Sequence, residues 1–344
     1  MVETCQTPDR SQPVADPYRT IQIHPTRKCN LACLHCYSFS SPNMKEMIDI
    51  ETLKRFLEIS FENGYNNISV SGGEPFLYSH LEELLKFTRS IGYQNTMASN
   101  GMLLQSERNQ RILEYVDLIA ISVDGPPELH DQIRGQKGAF EKTMKGVEVL
   151  KKLEKPFGLI HTITPQSWQS LIWLADFAYE SGAKLLQLHP LEMQGRASED
   201  LIGSEIDDTL AHQAYILASY LKSKYANKMI VQLDLLHREY IEAFPQVVNV
   251  FDRQCSQNKQ IADLLDTIIV EESGKIIPIA YGFDSTFEIG NIYQFQNSDF
   301  AKYTEEKLPK LKKLFSQTIE KIVNNKDADI VNWNEILVNQ SQLN

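Results

Sequence analysis

The sequence predicts an α/β protein: a partial (β/α)6 TIM-type barrel followed by a small C-terminal α+β appendage. Three observations lead there. Short apolar runs alternate with amphipathic runs of helical period, in six units of about 30 residues each. Such alternation calls for parallel strands joined by right-handed crossovers. Six units fall short of the eight that close a barrel. The polar motifs gather where strands end and loops begin, the face on which such folds carry their sites.

The elements follow in order. Residues 1–17 are polar and proline-bearing and are expected to be a disordered tail. TIQIHP (20–25) reads as the first strand, and IDIETLKRFLEISFENG (48–64) as a helix ended by glycine. NISVS (67–71) is a strand, SHLEELLKFTRSIG (79–92) a helix, TMAS (96–99) a short strand and 106–116 a helix. LIAISVDG (118–125) is a strand, FEKTMKGVEVLKKLE (140–154) a helix and FGLIHTIT (157–164) a strand. SWQSLIWLADFAYESG (167–182) is a helix, KLLQLHPL (184–191) the sixth strand, and a long helix is expected near 206–226. The barrel is therefore assigned to 18–230. Over 231–344 the pattern changes: TIIVEESGKIIPIAYG (267–282) reads as a hairpin turning at Ser273-Gly274, and 299–323 as helical.

Composition narrows the function. With 42% hydrophobic and 23% charged residues the chain can build a sizeable core. A net charge of -11 argues against nucleic acid, whose phosphates need a basic surface. No secretory signal and no apolar run of about 18 residues is visible. Clustered thiols without an export signal point to a reducing, cytoplasmic setting, where metal binding is favoured over disulfides.

Three of the five cysteines, Cys29, Cys33 and Cys36, fall in TRKCNLACLHCYSF, just after the first strand. Thiolates this close can wrap one metal centre. A four-iron cluster takes one thiolate per iron, so three leave an iron open to a ligand that is not protein. The alternative is structural zinc with His24 or His35 as fourth ligand, although the second CxxC knuckle usual for zinc is absent.

CNLACLHC resembles the CxxxCxxC signature of radical S-adenosylmethionine (SAM) enzymes. The resemblance implies one 4Fe-4S cluster held by Cys29, Cys33 and Cys36, its fourth iron chelated by SAM. It places His35 and Tyr37 near the adenine. Ser71-Gly72-Gly73-Glu74-Pro75 looks like the family's GGEP segment, which holds the methionyl amine, so Gly72, Gly73 and Glu74 are implied SAM contacts. Ser99-Asn100-Gly101 resembles the family's TNG segment and Ser122-Val123-Asp124-Gly125 its SVDG segment. Ser99, Asn100, Ser122 and Asp124 are thereby assigned to the ribose and carboxylate of SAM, with a turn cap as the other reading of Asp124. His161, Thr162 and Thr164 lie on the fifth strand. On the sixth, Gln187 and His189 share a face. His189 is taken as a further adenosine or substrate contact, with a hydrogen-bonded core histidine as the alternative. Gly195-Arg196-Ala197 resembles the GRA segment of the peptide-modifying branch; an exposed loop arginine is the plain reading.

Residues 255–292 resemble a degenerate SPASM or twitch extension. Relatives carry Pro-Cys where this chain has Pro278-Ile279, and only Cys5 and Cys255 remain outside the loop. A second all-thiolate cluster lacks ligands, so a single cluster is expected. Cys255 is read as a small buried hydrophobe rather than a ligand, and Cys5 as incidental. The implied reaction is reductive cleavage of SAM to a 5′-deoxyadenosyl radical that abstracts hydrogen from a substrate. The expected substrate is a ribosomally made precursor peptide, modified by epimerisation, crosslinking or splicease-type excision. The stretch before the first strand is too short for a fused leader-binding domain, so a separate leader-peptide recognition protein is expected, with flavodoxin or ferredoxin as electron donor. KLPKLKKLF (307–315) is a candidate docking stretch or a solvated helix face. The alternatives are a radical SAM enzyme acting on a small metabolite in cofactor biosynthesis, and a non-enzymatic zinc adaptor.

Overall fold

In the computed structural model, residues 18–252 and 260–343 are described. The N-terminal tail with Cys5, and Cys255, lie outside them. Through the barrel half the chain runs β1 (Thr20–Ile23), α1 (Ile50–Glu62), β2 (Asn67–Val70), α2 (Leu81–Ile91), β3 (Gln94–Ser99), α3 (Glu107–Ile112) and β4 (Leu118–Ser122). It continues with α4 (Pro127–Arg134), α5 (Ala139–Lys152), β5 (Phe157–Ile163), α6 (Leu171–Ser181), β6 (Leu185–Pro190), α7 (Ala197–Asp200), α8 (Asp208–Lys224) and β7 (Ile230–Leu233). The remainder comprises β8 (Leu236–His237), α9 (Arg238–Ala243), α10 (Ile261–Leu264), β9 (Thr267–Val270), β10 (Lys275–Pro278) and β11 (Gly290–Asn291). Last come α11 (Asn297–Glu306), α12 (Leu308–Asn324), β12 (Ile330–Val331) and α13 (Trp333–Ser341).

Strands β1 to β6 pair in parallel in sequence order, each in the place the alternation predicts. Two further parallel strands extend the set. β7, which straddles the boundary placed at residue 230, pairs with β6, and β9 pairs with the free edge of β1. The hairpin forms as expected, β10 lying antiparallel to β9, but it prolongs the barrel sheet instead of standing apart. The sheet runs β11-β10-β9-β1-β2-β3-β4-β5-β6-β7 and does not close.

Local chemistry explains the element ends. Asp49 caps α1 by accepting the Thr52 N–H at 2.9 Å. Strand interiors such as Ile21, Ile23, Ile68, Val70, Ile119 and Ile121 are fully buried under the helical layer, as parallel strands covered by crossovers must be. The alternate residues, polar at many positions, face the barrel interior and form the site. Leu308, Leu311, Leu314, Phe315 and Ile322 bury one face of α12, while its lysines stay in solvent. Among the described residues no helix is long and apolar enough to cross a membrane.

Candidate active site

A cavity of about 510 Å³ opens at the C-terminal ends of the strands. All three cysteines of the loop after β1 line it, with His35 and Tyr37. Cys29 and Cys33 are buried at 9% and 7% exposure, packed with Leu31, Met102 and Ala139 in a small core of their own. The loop has little regular structure, so its backbone groups find individual partners. Cys29 N–H donates to Ser41 O at 3.1 Å, and Leu34 N–H to Ile133 O at the end of α4 at 2.9 Å.

The thiols do not converge on one point. Among the described residues no group of three His, Cys, Asp and Glu is close enough to hold a single metal ion. A four-iron cluster takes one thiolate per iron and does not require convergence. Burial, and secondarily the charge of Glu74, pushes the Cys29 thiol up to about 12. Burial also raises Cys33, against the opposing pull of Arg134, whose Nη1 stands 3.6 Å from its sulfur. Left to the protein these thiols hold their protons, and a bound metal centre would displace them.

Gly72, Gly73 and Glu74 follow β2 and line the same cavity. Gly73 lies so close to the cysteine loop that a Cβ there would stand 2.2 Å from Lys28 O. Only glycine permits this approach. It is fastened by Gly73 N–H to Thr26 O at 2.8 Å and Glu74 N–H to Lys28 O at 2.9 Å. The Glu74 carboxyl is buried, and burial lifts its pKa to about 7 against the hydrogen bonds it accepts. Those come from Ser99 Oγ at 2.9 Å, Asn100 N–H at 2.9 Å and Phe76 N–H at 3.3 Å. No side-chain cation bonds to it among the described residues. A buried carboxylate so placed calls for a cationic group from a ligand.

The residues expected to meet SAM divide by position. Ser99 and Asn100 line the cavity, but Ser99 holds Glu74, and the Asn100 side chain reaches Asn30 Oδ1 at 2.8 Å. Ser122 lines the cavity directly. Asp124 does not. It is fully buried behind the wall, 2.5 Å from Arg134 Nε and 3.3 Å from His35 Nε2. Burial alone would raise its carboxyl; Arg134 and then His35 hold it well below the usual carboxylate range. On β5, Thr162 faces the cavity, while His161 is a satisfied core histidine between Val123 O at 3.0 Å and Ser167 Oγ at 3.1 Å. His189 is not of that kind: it lines the cavity with its Nδ1 against Asp234 at the end of β7. Gln187 pairs with Gln232 beneath it at 3.2 Å.

Some participants escape sequence reasoning. Arg134 ends α4, an unexpected helix whose signals were Pro127 at its start and Gly135 at its stop. Asp234 follows an unexpected strand. From the hairpin, Ile279, Ala280 and Tyr281 reach the cavity, Tyr281 stacking on His24 at 5.1 Å and meeting Tyr37 edge-on at 5.1 Å. Ile279 has a φ of 68°, a costly conformation for a β-branched residue. Arg196, for which an exposed loop position was the plain reading, instead bonds to the cysteine loop.

Comparison with known proteins agrees with this arrangement. Residues 23–178 match the Radical SAM superfamily. An AdoMet-dependent heme synthase of Methanosarcina barkeri (strain Fusaro / DSM 804) is 30% identical over 184 residues, 53% of each chain. The antilisterial bacteriocin subtilosin biosynthesis protein AlbA of Bacillus subtilis (strain 168) is 24% identical over 275 residues, 78% of this chain and 56% of AlbA. This chain thus spans about half the length of the curated relatives it matches. Streptococcus suis SuiB, solved with its precursor peptide SuiA, superposes with a TM-score of 0.65 at 17% identity, over 86% of this chain and 66% of SuiB, a likeness of fold. Members of the matched superfamily use a 4Fe-4S cluster and SAM. The matched segment contains the cysteine loop, the Gly73-Glu74 turn and the residues that follow β3 and β4: residues 23–178 of this chain form a radical SAM superfamily domain.

Proposed function

We propose that this chain cleaves SAM reductively at a single 4Fe-4S cluster and turns the resulting radical on a ribosomally made precursor peptide. The observation that carries the first half is the shared cavity of Cys29, Cys33, Cys36 and the buried, raised Glu74 carboxyl. The donor set fits: three thiols for three irons, and a carboxylate awaiting an ammonium group. When bound, cluster and cofactor supply the 5′-deoxyadenosyl radical. The protein does the rest. Cys29, Cys33 and Cys36 hold the irons. Glu74, oriented by Ser99 and Asn100, accepts the methionyl amine, and the loss of its own proton accompanies that contact. Ser122 and Thr162 offer hydroxyls to the nucleoside, with His35 and Tyr37 bordering the adenine. Asp124 acts through His35 and Arg134 instead of touching the ligand. The cavity keeps water from the reacting C–H bond.

Similarity to AlbA over 78% of the chain supports the peptide substrate. A separate leader-peptide recognition protein, and flavodoxin or ferredoxin as reductant, complete the reading. Similarity to heme synthases favours a second reading, a small metabolite as substrate. The test is anaerobic reconstitution, dithionite reduction and addition of SAM, with iron counted and 5′-deoxyadenosine assayed. About four irons per chain and SAM cleavage are expected; about eight irons would refute the single cluster, and zinc without cleavage the whole reading. Radical transfer to small peptides encoded beside the gene, against transfer to porphyrin precursors, separates the two substrates.

A further inference from the structure

We propose that Gly195 and Arg196 form a clasp that sets the shape of the cysteine loop, making Arg196 a positioning residue for the iron cluster. The proposal rests on Cys29, Cys33 and Cys36 being the cluster ligands.

After β6 the chain turns back over the loop that follows β1. Gly195 adopts a φ of +55°, and a Cβ there would stand 2.2 Å from Tyr37 O and 2.6 Å from Cys36 O. The absence of a side chain lets two stretches of irregular backbone touch. Arg196 then fixes them together. Its backbone N–H donates to Cys36 O at 2.8 Å. Its Nη1 donates to Cys33 O at 2.7 Å and its Nη2 to Ser40 O at 2.9 Å. One residue thus holds the peptide planes of two of the three cysteines and the far end of the loop.

The chemistry suits an arginine. The loop lacks strand or helix partners for most of its carbonyls, so those directed inward need donors from elsewhere. A guanidinium presents its donors in a rigid planar fork, so bonding Cys33 O and Ser40 O together sets the distance between them. A lysine offers a point charge and cannot set that distance. Fixing the peptide planes at Cys33 and Cys36 fixes the directions of their Cα–Cβ bonds, and hence where the sulfurs stand. Cys29 makes no contact with Arg196 itself; its N–H bonds to Ser41 O, next to the clasped Ser40, and the Gly73 approach to Lys28 fixes the residue before it. The clasp therefore acts directly on two ligands of three, Cys33 and Cys36. It also ties the cysteine loop to the segment that follows β6, the strand that carries Gln187 and His189.

The experiment uses the full chain with Arg196→Ala and Arg196→Lys. Folding of the metal-free proteins is followed by circular dichroism and thermal melting. Each is reconstituted anaerobically with limiting ferrous iron and sulfide, and iron, sulfide and the dithionite-reduced EPR spectrum are recorded with and without SAM. Arg196→Ala is expected to fold yet lose cluster occupancy by about tenfold, the scale of losing an outer hydrogen-bond partner of a metal ligand. Its remaining signal should be broadened, with Arg196→Lys recovering part of the occupancy. Folded Arg196→Ala with wild-type occupancy and an unchanged spectrum would overturn the clasp. If Arg196→Ala fails to fold, Arg196→Lys decides, and wild-type occupancy with an unchanged spectrum there would overturn it equally. Wild-type protein that takes up no iron would instead sink the proposed function, and the clasp with it.

Discussion

The backbone N–H of Asn100, at the end of β3, donates to the Glu74 carboxylate, at the end of β2, across 2.9 Å. Burial outweighs this bond and raises the Glu74 pKa to about 7 from 4.5. The folded state therefore keeps a proton that the unfolded chain has lost between those values, and stability falls as pH rises from about 4.5 to about 7. Glu74→Gln should remove that decline from the metal-free protein, worth on the order of 3 kcal/mol. Urea unfolding of both proteins at pH 5 and pH 7.5 measures it; parallel pH dependences would show that Glu74 is not the group concerned. In reconstituted protein the same variant should bind SAM more weakly while leaving the cluster spectrum nearly unchanged.

Gly73→Ala should be far more damaging than its size suggests. Its Cβ would sit 2.2 Å from Lys28 O, a backbone atom that cannot swing aside. A cost of about 1–3 kcal/mol is expected from the forced separation, together with loss of iron, since the displaced segment is the part of the loop leading into Cys29. Chemical denaturation and iron analysis of one preparation test both parts, and a variant that keeps wild-type stability would show that the loop yields freely.

His189 should titrate above its ordinary value of 6.5. Burial works against the imidazolium, but the Asp234 carboxylate, by hydrogen bond and by charge, prevails. Its contribution to stability is complete below about 6.5 and fades as pH rises through the folded pKa. Asp234→Asn should bring the titration down, as followed by the ring proton signals in NMR. A midpoint that stays put would mean that another carboxylate, such as nearby Glu192, holds the proton.

Replacing Cys29, Cys33 or Cys36 singly by alanine should abolish SAM cleavage and cost the metal-free fold only about 1 kcal/mol. Activity assays beside thermal melts decide this, and full turnover in any one variant would remove that cysteine from the ligand set.

What the sequence announces depends on how local the cause is. β1 to β6 and their helices are readable because a period of 2 or 3.6 is written in consecutive residues. The cysteine loop and the Gly73-Glu74 turn are readable because their spacing is short. α4 is overlooked because PELHDQIR, with only its Ile133, His130 and Arg134 buried, has a thin apolar stripe. Asp124 is expected to face a ligand because it ends a strand. The helix nobody anticipates brings Arg134 against it and turns it into a buried ion pair. The placement of β9 beside β1 is written nowhere near either strand, since pairing partners are a matter of tertiary assembly.

That placement governs the order in which the molecule can be completed. Thr20 pairs with Asn67 on one side and with Thr267 on the other. On a ribosome the first strand therefore has a single neighbour for most of synthesis, and its second edge stays unsatisfied until the hairpin emerges. Contacts so distant in sequence form late, because the intervening chain must first be drawn together. The cysteine loop follows that half-finished strand, so nascent chains stalled before Thr267 should remain metal-free.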